Sequence, residues 1–217
     1  MQLFFSENIK DGIIILDEIE SNHCLNVMRF KQGSDVSVVD GKGNFYKGII
    51  AAVEKKKCYI EIKKTIQNFD KRSSYVHIAI SPIKNHDRLE WFVEKVIEIG
   101  INEITFLNCT RTLRKTVRMN RILKIAKSAM KQTLKATLPK INPLINYNDF
   151  IRSSKNKNKF ICHLKNEITN DIFSYKKDMI KNDKLCVLIG PEGDFTSDEI
   201  ELAHNEKFKP LTLGKVK

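Results

Sequence analysis

The chain has 217 residues, of which 41% are hydrophobic and 29% charged, and it carries a net charge of +12. This is the composition of a globular protein with one large or two small cores, and with no apolar run near the length of a bilayer span no membrane partner is expected. The N-terminus, MQLFFSENIKDG, lacks the features of a secretion signal, and five scattered cysteines without a CxxC pair (Cys24, Cys58, Cys109, Cys162, Cys186) point to reduced core thiols in a cytoplasmic protein, not to a metal centre or disulfides.

Residues 1–70 read as a small β-rich barrel or sandwich. Short apolar or alternating runs at 3–5, 12–16, 35–40, 45–53 and 58–62 are separated by turn residues. Asp40-Gly41-Lys42-Gly43-Asn44 is a hairpin turn, because both glycines accept positive φ. Between the second and third runs, Glu18 to Phe30 reads as one helix starting near Ser21 or Asn22 and carrying His23 and Arg29. With no second ligand beside it, His23 reads as a capped or half-buried histidine. Lys55 to Lys57 form an exposed hairpin tip, and the polar stretch Gln67 to Ser74 is the linker.

Residues 75–217 change period and read as an α/β domain. A strand at 75–83 is followed by a helix over Asp87–Ile99 that Gly100 terminates, then by a strand at 101–107. Further strands at 159–164, 184–189 and 210–213 complete a pattern that predicts a parallel sheet with helices on both faces. From Arg111 to Lys140 there are ten Lys or Arg residues and no Asp or Glu. In helical projection Arg121, Lys124, Lys127, Lys131 and Lys135 share one face, while Ile122, Ile125, Ala126, Ala129, Met130, Thr133 and Ala136 share the opposite one. An apolar face backed by an almost uniformly cationic one predicts a polyanionic partner, because like charges so close repel until a phosphate backbone relieves them. Gln132, at the edge of the cationic surface, is a neutral hydrogen-bonding candidate.

The stretch Leu185 to Thr196, LCVLIGPEGDFT, is an apolar strand running into a glycine-flanked turn and a helix start. Open α/β sheets place ligands at such turns. Neither GxGxxG nor GxxxxGK[ST] is present, which argues against a dinucleotide-binding enzyme, and Glu192 in the turn argues against a phosphate ligand. Thr196 and Glu199 have the spacing of a capping box. The later LTLG ends in Gly214, and the strand ends at Gly190 and Gly214 are expected to lie side by side as two walls of one cleft.

LIGPEGDFTSDEI followed by LTLG resembles the signature of the small-subunit ribosomal RNA uracil-N3 methyltransferases, within the SPOUT (α/β-knot) superfamily. HCLNVMRFKQGSDVSVVDGKG is similar to that family's N-terminal PUA-like RNA-binding barrel, DRLEWFVEKVIEIGINEI to its helix ending at Glu98-Ile99-Gly100, CTRT to its arginine element with Arg111, and KQTLKATLP to its Gln132-containing segment. The resemblance implies a PUA-like barrel over 1–70 and a SPOUT methyltransferase domain over 75–217. The implied enzyme is homodimeric, uses S-adenosylmethionine, and methylates N3 of a uridine of 16S rRNA near the decoding region during small-subunit maturation.

By motif, the cofactor would be held by His163 and Leu164, by Gly190, Pro191, Glu192 and Gly193, and by Leu213 and Gly214. Arg111, Gln132 and Glu98 are the candidate catalytic residues. Arg29, Arg114, Arg118, Arg121, Lys124, Lys131 and Lys135 are the candidate RNA contacts. Asp194 stands where the family has a third small residue, and Lys135 replaces an arginine and its planar fork. Family members continue past the position of Lys217 with a final knot-threading helix, so part of the knot, cofactor pocket and dimer interface is expected beyond it. Two alternatives from the same residues are an RNA-binding module with an inactive or incomplete cofactor site, and a SPOUT ribose 2′-O-methyltransferase.

Overall fold

The computed structural model describes residues 2–164, 170–177 and 184–212. The chain divides into two compact units. Met1–Lys71 with Lys124–Leu138 form the first, and Arg72–Leu123 with the chain from Pro139 onward form the second.

In the first unit a six-stranded mixed sheet has the order β1 (Leu3–Phe5), β4 (Asp35–Val39), β5 (Phe45–Glu54), β6 (Lys57–Ile66), β3 (Ile13–Ile15) and β2 (Ile9–Lys10). Only β1 and β4 pair parallel. Its core is Phe4, Ile14, Leu16, Val36, Val38, Ile50 and Ile60, with Cys24 and Cys58 buried among them. The predicted single helix is two pieces. α1 (Glu18–Asn22) is capped by Asp17, which accepts the Glu20 amide at 2.8 Å, and a π-helical turn, His23–Val27, follows. Ser21 does not cap the helix because it is buried, donating to the Leu16 carbonyl and accepting the Cys58 amide at 3.0 Å. Arg29, at φ +58°, ends the π turn.

Residues 124–138 join this unit for visible reasons. Buried Glu20 accepts the Phe5 amide on the edge strand β1 at 3.1 Å, and its other oxygen takes the Lys131 ammonium. An open strand edge is satisfied from outside the sheet in this way. In the turn after β4 both glycines take positive φ as expected, 74° at Gly41 and 97° at Gly43. The Gly43 amide donates to the Ala136 carbonyl at 3.0 Å, and the Leu138 amide donates to the Gly41 carbonyl at 2.8 Å. Asp70 accepts from the Ala136 amide and the Thr137 hydroxyl.

The second unit is a wholly parallel sheet of order β12 (Lys209–Leu211), β10 (Asn158–Cys162), β11 (Leu185–Ile189), β7 (Val76–Ile80), β8 (Glu103–Asn108), β9 (Lys140–Asn146). α2 (His86–Ile99) starts at the Asn85 cap and ends at Gly100, whose φ of 99° and the Arg72 guanidinium against its Cα exclude a side chain. α3 (Met119–Gln132), the basic helix, starts in this unit and belongs to the first unit from Lys124 onward, and Ile122, Ala126, Ala129 and Met130 are buried as its projection predicts.

Two elements have no counterpart in the sequence reading, the edge strand β9 and the short α4 (Tyr147–Ser153). Pro143 interrupts the pattern of β9, which the sheet tolerates because β9 is an edge strand. A second correction concerns the two glycine-ended strands. β11 and the strand before Leu213-Gly214 do not adjoin, because β10 lies between β11 and β12. Leu213 and Gly214 themselves lie outside the described residues. No helix among the described residues is long and apolar enough to cross a membrane.

Candidate active site

The parallel strands β7, β8, β10 and β11 all point their C-terminal ends to one edge of the sheet, so the loops that follow them meet there. That edge is where parallel α/β sheets hold ligands. The turn after β11 is fixed by Phe195, fully buried and packed on the Tyr147 ring with centroids 5.5 Å apart. A Cβ at Gly190 would lie 3.0 Å from the Phe195 ring, so this glycine is the form in which the strand end and its plug fit together.

Asp194 carries the bend. It takes φ +60°, and its amide donates to the Pro191 carbonyl at 3.0 Å. Aspartate tolerates the left-handed region when its short side chain bonds locally. Here one carboxylate oxygen accepts the Phe195 amide at 2.8 Å and the other accepts the Leu164 amide at 2.9 Å. Asp194 therefore reproduces the backbone freedom of a small residue and also bonds the turn to the loop after β10.

The flanks of the turn are clamped on both sides. Glu192 is drawn onto the Lys84 amide at 2.7 Å, in the loop after β7, and the Gly193 carbonyl accepts from Arg111 Nη1 at 2.6 Å. Arg114 Nε donates to the Lys84 carbonyl at 3.0 Å. Behind the turn, α5 (Ser197–Asn205) begins with the full Thr196/Glu199 capping box. Glu199 is buried and has a second task, accepting the Thr110 amide at 2.7 Å and the Thr110 hydroxyl at 3.0 Å. The loop after β8 is thereby fastened to α5 while it presents Arg111. Ser81 and Thr112 share a hydrogen bond of 2.7 Å beneath it, and burial pushes the Cys109 thiol up to about 12, which keeps it protonated and inert.

Of the residues expected to bind cofactor, His163, Leu164, Gly190, Pro191, Glu192 and Gly193 are at this edge, and Arg111 is with them. Glu98 is not. It sits in the last turn of α2, which runs back to the opposite edge of the sheet, and both its oxygens take the Lys95 ammonium at 2.9 and 3.0 Å. Gln132 ends α3 in the first unit.

The cationic face is also partly neutralised in space, because acids absent from the segment arrive from elsewhere. Arg121 pairs with Glu90 at 3.1 Å, Lys131 is taken by Glu20, and Lys127 lies over the Phe5 ring. Arg114 is held by Lys84 and His86. Arg29, Arg118 and Lys124 remain exposed, and Lys135 is half-buried. Sequence reasoning missed Lys84, Thr110 and the second role of Glu199. Only the capping spacing of Glu199 was visible, and nothing local signals a backbone amide 89 residues away.

A six-stranded mixed sheet in one unit and a parallel sheet with a clamped glycine turn at its C-terminal edge in the other define the class as a PUA-like β domain with a SPOUT-type α/β domain. Residues 70–216 match the model of the RNA methyltransferase domain family, and residues 16–63 match that of the RNA methyltransferase PUA domain. The chain belongs to this RNA methyltransferase family. The crystal structure of a probable rRNA-methyltransferase from Porphyromonas gingivalis is 31% identical with a TM-score of 0.89, covering all of this chain and 91% of that one. A ribosomal RNA small subunit methyltransferase E of Mesomycoplasma hyopneumoniae is 27% identical over 99% of this chain and 92% of its own length. A Neisseria gonorrhoeae enzyme of the same name, bound to S-adenosylmethionine, shares the fold at a TM-score of 0.85 with 23% identity, covering all of this chain and 90% of that one.

Proposed function

We propose that this enzyme transfers a methyl group from S-adenosylmethionine to N3 of a uridine in small-subunit (16S-type) ribosomal RNA, as a cytoplasmic homodimer acting in subunit maturation. In this reading the barrel of residues 1–70 captures RNA and residues 75–217 carry out the transfer. The observation that carries the reading is the clamped GPEG turn within a chain of the RNA methyltransferase family.

The turn suits this cofactor on chemical grounds. It offers backbone amides and carbonyls and an exposed carboxylate, with no cation of its own, which fits a ligand bearing a sulfonium and an adenosine but no phosphate. Leu164, 90% exposed beside the turn, supplies an apolar surface for the adenine. His163, Leu164 and Gly190 to Gly193 would hold the cofactor, with Leu213 and Gly214 added by motif. Bound there, the cofactor supplies an activated methyl group.

The protein's contribution is positioning and charge. Once uracil N3 loses its proton, negative charge spreads over N3 and the two ring oxygens, and donors placed at those oxygens stabilise it. Arg111 spends one of its five N–H donors on Gly193, so it is held at the turn with the rest of its fork available. Gln132 is the proposed amide donor to the ring. Arg29, Arg118, Lys124 and Lys135 are the proposed phosphate contacts, and Arg114 and Arg121 are further proposed ones.

The test is to incubate the protein with S-adenosylmethionine and unmodified small-subunit RNA, digest the RNA to nucleosides, and separate the products by mass spectrometry. N3-methyluridine is the expected product. A ribose 2′-O-methylated nucleoside would replace this reading with the sister SPOUT activity, and no methylated product would leave an RNA-binding module.

A further inference from the structure

Three carboxylates bond one loop of the C-terminal edge to another, and they differ in how many oxygens the bonding takes. Asp194 commits both, to the Phe195 and Leu164 amides. Glu199 also commits both, one to Thr110 and the other to the Thr196 amide at 2.9 Å. Glu192 commits only Oε1, which accepts the Lys84 amide at 2.7 Å. Among the described residues its Oε2 has no hydrogen-bond partner, and the residue is exposed. A carboxylate oriented through one oxygen and open at the other has more than a clamp requires.

The same turn supplies donors on the next residue. Arg111 Nη1 donates to the Gly193 carbonyl, and a Cβ at Gly193 would meet Arg111 Cδ at 3.4 Å. The arginine stem therefore lies along a residue that has no side chain to push it away. An open acceptor and a fork of open donors thus stand on consecutive residues. The imide edge of uracil presents the complement, an N3–H beside a ring carbonyl. Behind the carboxylate, Arg114 Nε holds the Lys84 carbonyl at 3.0 Å and so fixes the residue whose amide orients Glu192. The charged and titratable groups gathered at this turn are Lys84, His86, Arg111, Arg114 and Asp194.

We infer, resting on the uracil-N3 methyltransferase reading, that Glu192 is the general base of the reaction. The N3–H bond breaks and its proton passes to Glu192 Oε2. The electron pair left on N3 forms the bond to the methyl carbon, and the pair of the broken carbon–sulfur bond stays on sulfur, which loses its positive charge. Glu192 then gives the proton to solvent. A carboxylate beside a sulfonium and a carboxylic acid beside a thioether carry the same net charge, so no unpaired charge develops as the methyl moves. Glu98, with both oxygens on Lys95 at the opposite edge, has neither the place nor the open oxygen for this step.

The experiment pairs Glu192→Gln with RNA of altered acidity. Glutamine keeps an acceptor for the Lys84 amide, and so keeps the clamp, but it takes no proton. At saturating cofactor and small-subunit RNA its single-turnover rate is expected to fall by roughly a hundredfold to ten-thousandfold, the contribution of a positioned base. The remaining rate should climb in proportion to hydroxide, because the uracil must ionise unaided. RNA transcribed with 5-fluorouridine, whose N3 proton is more acidic, should restore much of the loss while changing the intact enzyme far less. A second readout needs no cofactor. Binding of a short RNA carrying one 5-fluorouridine is followed by fluorescence anisotropy as pH rises through ionisation of that base. Affinity for the intact protein should fall relative to Glu192→Gln, since the N3 anion faces a carboxylate in one and an amide donor in the other, and phosphate contacts cancel in the ratio.

A Glu192→Gln rate close to that of the intact enzyme, a loss that 5-fluorouridine leaves unchanged, or an affinity ratio that does not move with pH overturns the inference. N3-methyluridine from the intact protein alongside any of these removes the base and leaves the enzyme reading. A 2′-O-methylated product from the intact protein, or none, removes that reading whatever the variant does.

Discussion

The two edges of the parallel sheet handle polar groups in opposite ways. At the N-terminal edge, Glu103 is enclosed by side chains. The Tyr75 hydroxyl donates to it at 2.7 Å, Asn142 at 2.7 Å and Lys140 at 3.1 Å, while His77 and Asn142 both bond Thr105 at 2.8 Å. The Lys184 ammonium lies over the Tyr75 ring. Burial acts to raise the Glu103 carboxyl, but the hydrogen bonds from Tyr75 and Asn142 outweigh it and hold the group at about 2. At the C-terminal edge most of the bonds run from side chains to backbone, and they fix loops while leaving Gly193 and Arg111 exposed. An edge that consumes its own donors gives stability, and an edge that spends them on shaping a turn is free to hold a ligand.

The largest expected effect separates the two edges kinetically. Arg111→Ala should lower single-turnover methyl transfer by roughly a hundredfold or more, the size associated with losing one transition-state donor. RNA affinity should fall far less. Equal losses in rate and affinity would reduce Arg111 to a binding residue and dissolve the contrast. Glu103→Ala should act the other way, lowering unfolding free energy by about 3 kcal/mol because it strands buried partners, with the methyl-transfer rate of the folded enzyme unchanged. Urea denaturation measures the first and a single-turnover assay the second.

The same carboxylate makes the N-terminal edge sensitive to acid. Its folded value of about 2 lies below its ordinary 4.5, so its contribution is complete above 4.5 and is lost as pH falls towards 2, amounting to about 3 kcal/mol over that window. His77, lowered chiefly by burial, adds a loss as pH drops below 6.5, because the unfolded chain binds the proton more tightly. Urea midpoints followed down in pH should show both falls, and Glu103→Gln should flatten the lower one. Smaller is Thr196→Ala, which removes half of the capping box behind the turn and should cost about 1 kcal/mol. Smallest is Arg121→Ala at the exposed Glu90 pair, expected to change stability by less than about 0.5 kcal/mol in the same denaturation assay.

Elements with a strong local signal were legible before the structure. The glycine pair at 41 and 43, the Gly100 stop, the capping box and the buried face of α3 follow from turn chemistry and period alone. What was not legible depends on distant partners. Asp17 displaced Ser21 as a cap because Ser21 is needed by Cys58, and Lys131 left the cationic face because Glu20 is buried beside β1. Glu98 shows the same limit, since its motif position was visible and its edge of the sheet was not. The turn and Arg111 were visible as motifs, but the clamp from Lys84 and the anchor through Glu199 join residues 108 and 89 positions apart.

The return of residues 124–138 to the first unit has a topological consequence. The chain passes between the units at Lys71/Arg72, again at Leu123/Lys124 and again at Leu138/Pro139. A single protease cut in the linker therefore severs residues 1–70 covalently from 124–138, and the two parts of the first unit are then held only by their non-covalent contacts. A fragment ending at residue 70 lacks the lysine that neutralises Glu20 and the backbone that seals the Gly41 to Gly43 turn. The barrel is not a detachable cassette but a unit whose parts are encoded on either side of the first strands of its neighbour.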